Sequence, residues 1–160
     1  MLLPAAWTLV SPSDMDFDTL LDEMGEILDS EVLERQAREA YEQGGKLFAF
    51  DFLGGTPGFA DNISIVELPL TGFPAVTIEA ATVQLLESLV EGAEVSSEIR
   101  DVPAGEAIFI WYRLPAMGAE GISATVLTDT TQWVITYGAR DTGPLADVFE
   151  TMVDSFRETP

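Results

Sequence analysis

Few side chains in this sequence could do chemistry, and the gaps are as telling as the candidates. There is no His and no Cys. Triads that relay a proton through imidazole are therefore excluded, as are thiolate nucleophiles, iron–sulfur clusters and zinc sites built on Cys. Carboxylates remain. Asp51 and Glu67 flank apolar runs where a strand would carry them, and a pair of acids is the minimum for general acid–base work, provided the fold brings them together. Asp14-x-Asp16-x-Asp18 begins like a calcium loop, in which alternating carboxylates converge on a hard cation. The continuation fails, with Thr19 where the turn needs Gly and Gly25 where a bidentate Glu is needed. Those acids read as helix capping and surface charge.

Gly54-Gly55-Thr56-Pro57-Gly58 has the flexibility of a phosphate cradle but lacks the Lys-Ser/Thr ending and is followed by a strand pattern. It reads as a loop between strands. Its neighbours Leu53 and Phe59 are apolar residues that a loop tip can present to a partner. Pro115-Ala116-Met117-Gly118-Ala119, a second uncharged apolar loop, puts Met117 in the same role. Trp111 and Trp133 either pack a core, as strand aromatics usually do, or line a cavity with Phe149. Leu53, Phe59, Trp111, Met117 and Trp133 are thus the candidate contact residues. No catalytic, metal or cofactor residue is assigned. Asn62-Ile63-Ser64 matches a glycosylation acceptor but lies in a strand pattern and receives no role.

Charge narrows the partners. The 160 residues carry 28 acids against 7 basic residues, a net charge of −21. Such a surface repels nucleic acid and anionic lipid. A basic protein partner drawn in by long-range attraction, divalent cations or a salty medium would suit it, and high solubility under self-repulsion is the plainer reading of the same charge. The acids concentrate between Asp14 and Glu42, where eleven of them face two arginines, a local charge of −9. No apolar run approaches the 18 residues of a membrane span. The opening Met1–Ala6 is apolar but lacks a basic flank and breaks at Pro4, so it is not a complete signal peptide. An extracytoplasmic location would need a leader or lipid anchor ahead of it, and the compartment is otherwise unassigned.

The elements follow from hydrophobic period. Trp7–Val10 reads as a short strand. Phe17, Leu20, Leu21, Met24, Ile27 and Leu28 recur at helical spacing, and a second helix runs from about Ser30 to Gln43 before Gly44-Gly45. Leu47–Phe52 and Asn62–Leu68 alternate as strands and pair as a hairpin with a long connection. Val76–Val90 is helical, with Ile78, Ala81, Leu85 and Leu89 in register. Four strands follow, Val95–Val102, Ala107–Leu114, Ile122–Thr128 and Gln132–Ala139, and the segment Ala107–Tyr112 is apolar on both faces, as in a central strand. A last helix opens at Thr142-Gly143-Pro144 and carries Leu145, Val148, Phe149, Met152, Val153 and Phe156. Short connections between strands imply an antiparallel sheet, and the helices must bury their stripes on its faces. The expectation is one α+β domain over 1–160, an antiparallel β-sheet of about six to seven strands sandwiched by helices, with an exposed edge strand that would allow a homodimer.

Several local words, in order along the chain, resemble the PsbP-like superfamily, which includes the Mog-type Ran-binding proteins and the LpqN-type actinobacterial lipoproteins. They are Leu3-Pro4-Ala5-Ala6-Trp7, Leu47-Phe48-Ala49-Phe50-Asp51 followed by Asn62-Ile63-Ser64-Ile65, Pro103-Ala104-Gly105-Glu106-Ala107, and Asp154-Ser155-Phe156-Arg157. The resemblance implies a helix-covered antiparallel sheet acting as a binding or assembly module without catalysis or cofactor. The chain lacks the lipobox Cys of the lipoprotein branch and the His ligands of metal-binding relatives. The functional expectation is a non-enzymatic accessory domain that engages a protein partner through apolar loops and an acidic helical face. The alternative is a carrier of a small apolar ligand or lipid, held between the sheet and the last helix.

Overall fold

The computed structural model describes residues 8–10, 42, 45–56, 59–143 and 146–157. Alternating apolar residues build seven strands: β1 (Thr8–Val10), β2 (Gly45–Thr56), β3 (Phe59–Pro69), β4 (Glu94–Val102), β5 (Gly105–Leu114), β6 (Ala119–Leu127) and β7 (Thr131–Ala139). Helix α1 (Ala75–Leu89) separates β3 from β4, and α2 (Ala146–Asp154) follows β7. The strands form one sheet in the order β1-β2-β3-β7-β6-β5-β4, and every neighbouring pair is antiparallel. The chain enters at one edge, crosses by α1 to the other, and returns as a four-strand meander until β7 meets β3. This is the expected α+β sheet, with helices on both of its faces.

Register alternation decides what each face carries. On one face stand Ala107 and Phe109 of β5, Ile122, Ala124 and Val126 of β6, and Ile135 and Tyr137 of β7, with Phe149 and Val153 of α2 pressed onto them. All nine of these residues are essentially inaccessible to solvent. On the other face Ile108 and Ile110, with Val95, Ile99 and Leu127 beside them, lie under Ala75, Ile78, Val83 and Leu86 of α1. The residues of β5 are thus apolar toward both faces because both are covered, as its sequence requires.

Helix α1 starts where Pro74 leaves its carbonyl to accept from the backbone of Thr77 (2.9 Å), and it ends just before Gly92, whose φ of 78° lets the chain turn into β4. The β6–β7 turn closes earlier than the sequence pattern suggests, because Thr128 turns its hydroxyl inward to accept from the Thr131 backbone (3.0 Å). The β2–β3 hairpin differs more. The long connection expected over Gly54–Gly58 is instead strand as far as Thr56, which pairs with Phe59, so only Pro57 and Gly58 lie between the strands. A register shift between Asp51 and Thr56 absorbs the mismatch, and the glycines follow the extended path. The helices expected between Asp14 and Gln43, and with them Asp14, Asp16 and Asp18, lie outside the described residues apart from Glu42.

Candidate functional site

Two concave surfaces stand out, on different parts of the sheet. The first wraps the sheet end where β4 begins, β5 ends and β6 begins, a groove of about 320 Å3 lined by Trp111, Tyr112, Arg113, Glu94 and Glu120 among others. Arg113 is its centre: Nε donates to Glu120 Oε1 at 2.8 Å, and the guanidinium lies 3.6 Å from Glu94. Glu120 also accepts from the backbone N–H and the hydroxyl of Thr142, both at 3.2 Å. That backbone bond, more than the arginine, holds its carboxyl below the usual carboxylate range, against the opposing effect of its partial burial. Arg113 is correspondingly held more firmly protonated, first by its bond to Glu120. The cluster ties three strands to the segment after β7, and its one cation is spoken for by two acids. Beside it the Tyr112 ring lies across Gly121, where any Cβ would run into it, and burial pushes the phenol up.

The second surface flanks α1. A groove of about 430 Å3 runs between the helix and the loop before it, with Phe73, Ile78, Ala81 and Leu85 along it and Gln132 of β7 in its wall; Thr71, Thr77 and Thr82 complete it. No charged residue lines it. Phe73 is 62% exposed, Val76 61%, Leu85 54% and Leu70 42%, so four of the five large apolar residues exposed among the described residues belong to α1 or its leading loop. The sequence expectation that Ala81 and Leu85 belong to a buried stripe is corrected here. Helix α1 carries only two charges, Glu79 and Glu87, and nine of its fifteen residues are apolar. It can bury one side only, and the side it buries is that of Ala75, Ile78, Val83 and Leu86.

The residues singled out from sequence lie on β2, β3, β5 and β7 and in the turn after β5. Trp111 is half-buried, stacks on Phe109 with centroids 5.9 Å apart, and contributes to the first groove. Trp133 is half-buried against the α2 core, 5.4 Å from the Phe156 ring, and neither it nor Phe149 lines either groove. Leu53 lies within β2 and Phe59 opens β3, so the backbone at both is strand, not loop. Met117 closes a short 3-10 turn, Pro115–Met117.

The acid pair fails on geometry. Asp51 lies opposite Asp61, and Glu67 is six residues further along β3, roughly 20 Å at the rise of a strand. Glu67 is instead paired with Lys46 at 2.9 Å. Asn62 lies mid-strand opposite Gly138. What sequence reading missed is the ledge on α1, and a signal existed: a helix with two charges in fifteen residues has more apolar surface than one sheet face can cover.

The order of the strands, their uniform antiparallel pairing and the placing of the helices define a PsbP-like fold. The solution structure of cyanobacterial PsbP (CyanoP) from Synechocystis sp. PCC 6803 superposes with a TM-score of 0.58 over 98% of this chain and 84% of that one, at 12% sequence identity. Likeness at that identity reaches the fold alone. No family model matches the chain, and no curated protein does. No helix among the described residues is long and apolar enough to cross a membrane.

Proposed function

We propose that the chain acts as a single non-enzymatic accessory domain that binds a basic protein partner, with the apolar ledge of α1 as the contact. The observation that carries this is the uncharged groove beside α1, along which Phe73 and Leu85 stand more than half exposed. A water-exposed apolar cluster of this kind marks an interaction surface more often than an accident of composition. Charge selects the partner. Between Lys46 and Arg100 the sequence has eight acids and no basic residue. Lys or Arg flanking an apolar anchor would meet complementary potential around the ledge. This agrees with the binding or assembly role that the family resemblance implies. The carrier alternative gains less support, because Trp133 and Phe149 are committed to the packed interior beneath α2.

The test is a titration of the 15N-labelled protein with a short amphipathic Lys/Leu peptide, at low and at high salt. Shift changes are expected at residues 70–89, weakening as salt rises and absent with a Glu/Leu peptide of the same pattern. Changes centred elsewhere, or indifferent to salt and to peptide charge, would remove the reading.

A further inference from the structure

Strand β4 ends the sheet on the side away from β1. Among the described residues it pairs with β5 alone, through nine consecutive positions from Glu94 to Val102 without a register shift. The opposite edge, β1, is only three residues long. An edge strand presents a row of N–H and C=O groups to any incoming chain, and folds commonly guard such a row with Pro, Lys, a bulge or a short strand. β4 has none of these. What it has is acid, since residues 91–106 hold five carboxylates and one arginine. Ser96, Ser97 and Glu98 are all exposed, so the middle of the strand is open to approach.

The geometry points to β4 as a docking edge for an extended basic segment of a partner, which adds a strand to the sheet with Lys or Arg on the α2 side and apolar residues on the α1 side. This contact uses other residues than the α1 ledge and does not depend on it. Strand addition draws affinity from main-chain bonds and specificity from alternate side chains. Register sets the alternation. Ser96 and Glu98 share the α2 side with Trp111 and Phe109 opposite them, while Val95 and Ile99 lie half-buried on the α1 side beside Ile108 and Ile110. Apolar residues of the added strand would extend that row. Lys or Arg would face Glu94 and Glu98, the latter in no ion pair among the described residues. Ser96 is the smallest side chain on its side of β4, and past it the first groove opens between Glu94 and Trp111. A long cationic side chain reaches across Ser96 into that groove, where Glu94 and Glu120 outnumber Arg113. The chain shows such a placement itself, for Arg100 of β4 lies 3.8 Å from the centre of the Phe109 ring of β5. A second copy is the poorer occupant. β4 against β4 sets two acidic edges face to face, and the one cation each would offer, Arg100, is held by Glu150 at 3.0 Å.

The experiment titrates the 15N-labelled protein at low salt with a short alternating Lys/Val peptide, its Glu/Val counterpart, and two forms of the Lys/Val peptide N-methylated at every Lys or at every Val. Successive N–H groups of a strand point to opposite edges, so each methylated form blocks one edge. Amide signals of residues 94–102 and the Trp111 indole N–H should shift. One methylated form should bind like the parent and the other at least about tenfold more weakly, and the Glu/Val peptide should not bind. Glu98→Lys should weaken the Lys/Val peptide about fivefold, by exchanging opposite for like charge across the strands, and Leu85→Glu should leave it unchanged. Shifts centred on residues 70–89, or loss of binding in Leu85→Glu, would assign the peptide to the ledge and overturn the strand inference while leaving docking at α1 in place. Equal binding of the two methylated forms, binding of the Glu/Val peptide, or no binding at all would overturn it as well. So would exchange protection of the β4 amides that grows with protein concentration in the absence of peptide, which would give the edge to a second copy.

Discussion

Truncating Phe73 separates an anchor held out to a partner from a residue held in by the fold. Phe73 is 62% exposed, so little more than a third of its surface is covered. Full burial of such a side chain is worth about 1.5–3 kcal/mol, and Phe73→Ala should therefore cost about 0.5–1 kcal/mol of stability. Phe149 is 1% exposed and stacks near Tyr137, with centroids 6.4 Å apart. Its truncation should cost about 3–5 kcal/mol, through lost transfer energy and the cavity left behind. For a chain of this length that translates into melting shifts of about 1–4 °C for Phe73→Ala and about 6–20 °C for Phe149→Ala. Binding should order the two the other way. Removing a central aromatic anchor costs upward of about 2 kcal/mol, so the basic peptide should bind Phe73→Ala at least about 30-fold more weakly at a temperature where both proteins are folded. The assay is thermal unfolding by circular dichroism alongside peptide affinity by calorimetry. A fall of 10 °C or more in Phe73→Ala, about three times what its covered third can explain, would refute the placing of Phe73 outside the core. Unchanged affinity in a folded Phe73→Ala would refute the ledge as the contact.

Three further outcomes follow from single features. Gln132→Leu should raise the urea midpoint of the free domain, by about 1–3 kcal/mol of stability, because it removes an orphaned acceptor and keeps the volume; a lower midpoint would mean that the oxygen is served in solution. Glu120 has its carboxyl held low, so its contribution is complete above the usual carboxylate pKa and is lost as pH falls through the depressed folded value. Urea midpoints across the acid range should therefore fall less steeply for Glu120→Gln than for the wild type, and parallel curves would count against the cluster at Arg113. Gly121→Ala should cost about 1–3 kcal/mol in chemical denaturation, since the new methyl occupies space that the Tyr112 ring fills; a smaller cost of the same change made in Tyr112→Ala is the check on that cause.

Most of the framework was legible because period and punctuation agreed. The double-faced run Ala107–Tyr112 could only be a covered strand, and it is β5, second from the sheet edge but with α1 on one side and α2 on the other. The helix expected over Val76–Val90 is α1 with its bounds moved by one residue, because Pro74 and Gly92 punctuate it. Two misreadings have separate physical causes. Gly54–Gly58 carries turn composition, yet β2 continues through Gly54 and Gly55 to Thr56, which pairs with Phe59. Of the stripe read on α1, Ile78 packs on the sheet while Ala81 and Leu85 are exposed, because contact with Ile108 and Ile110 decides which apolar side of the helix is buried. The contact residues were less legible still. Trp111 and Trp133 carry the chemical signature of recognition residues, but strand register turns both toward the face that α2 covers.

An exposed apolar ledge is a hazard for a protein that meets copies of itself, and here charge answers it. Two ledges brought together would also bring together two chains of net charge −21. Each carries Glu79 and Glu87 on the helix that would form the contact and has no basic residue from 47 to 99 to offset them. Repulsion between such surfaces acts over a Debye length, about 8 Å at physiological ionic strength, which is comparable to the spacing of packed helices. The same field attracts a surface of the opposite sign. On the proposed reading, one charge distribution would both reject the identical partner and favour a basic one, with specificity resting on the sign of the rim and binding energy on the apolar groove. The two contributions separate with salt. Raising ionic strength should weaken hetero-association and, if the acids are what keeps copies apart, promote self-association through the same ledge. Sedimentation velocity of wild type and Leu85→Glu over a salt series reads this directly: dimer growing with salt in the wild type alone is the expected result, and equal behaviour of the two proteins would detach the charge from the ledge.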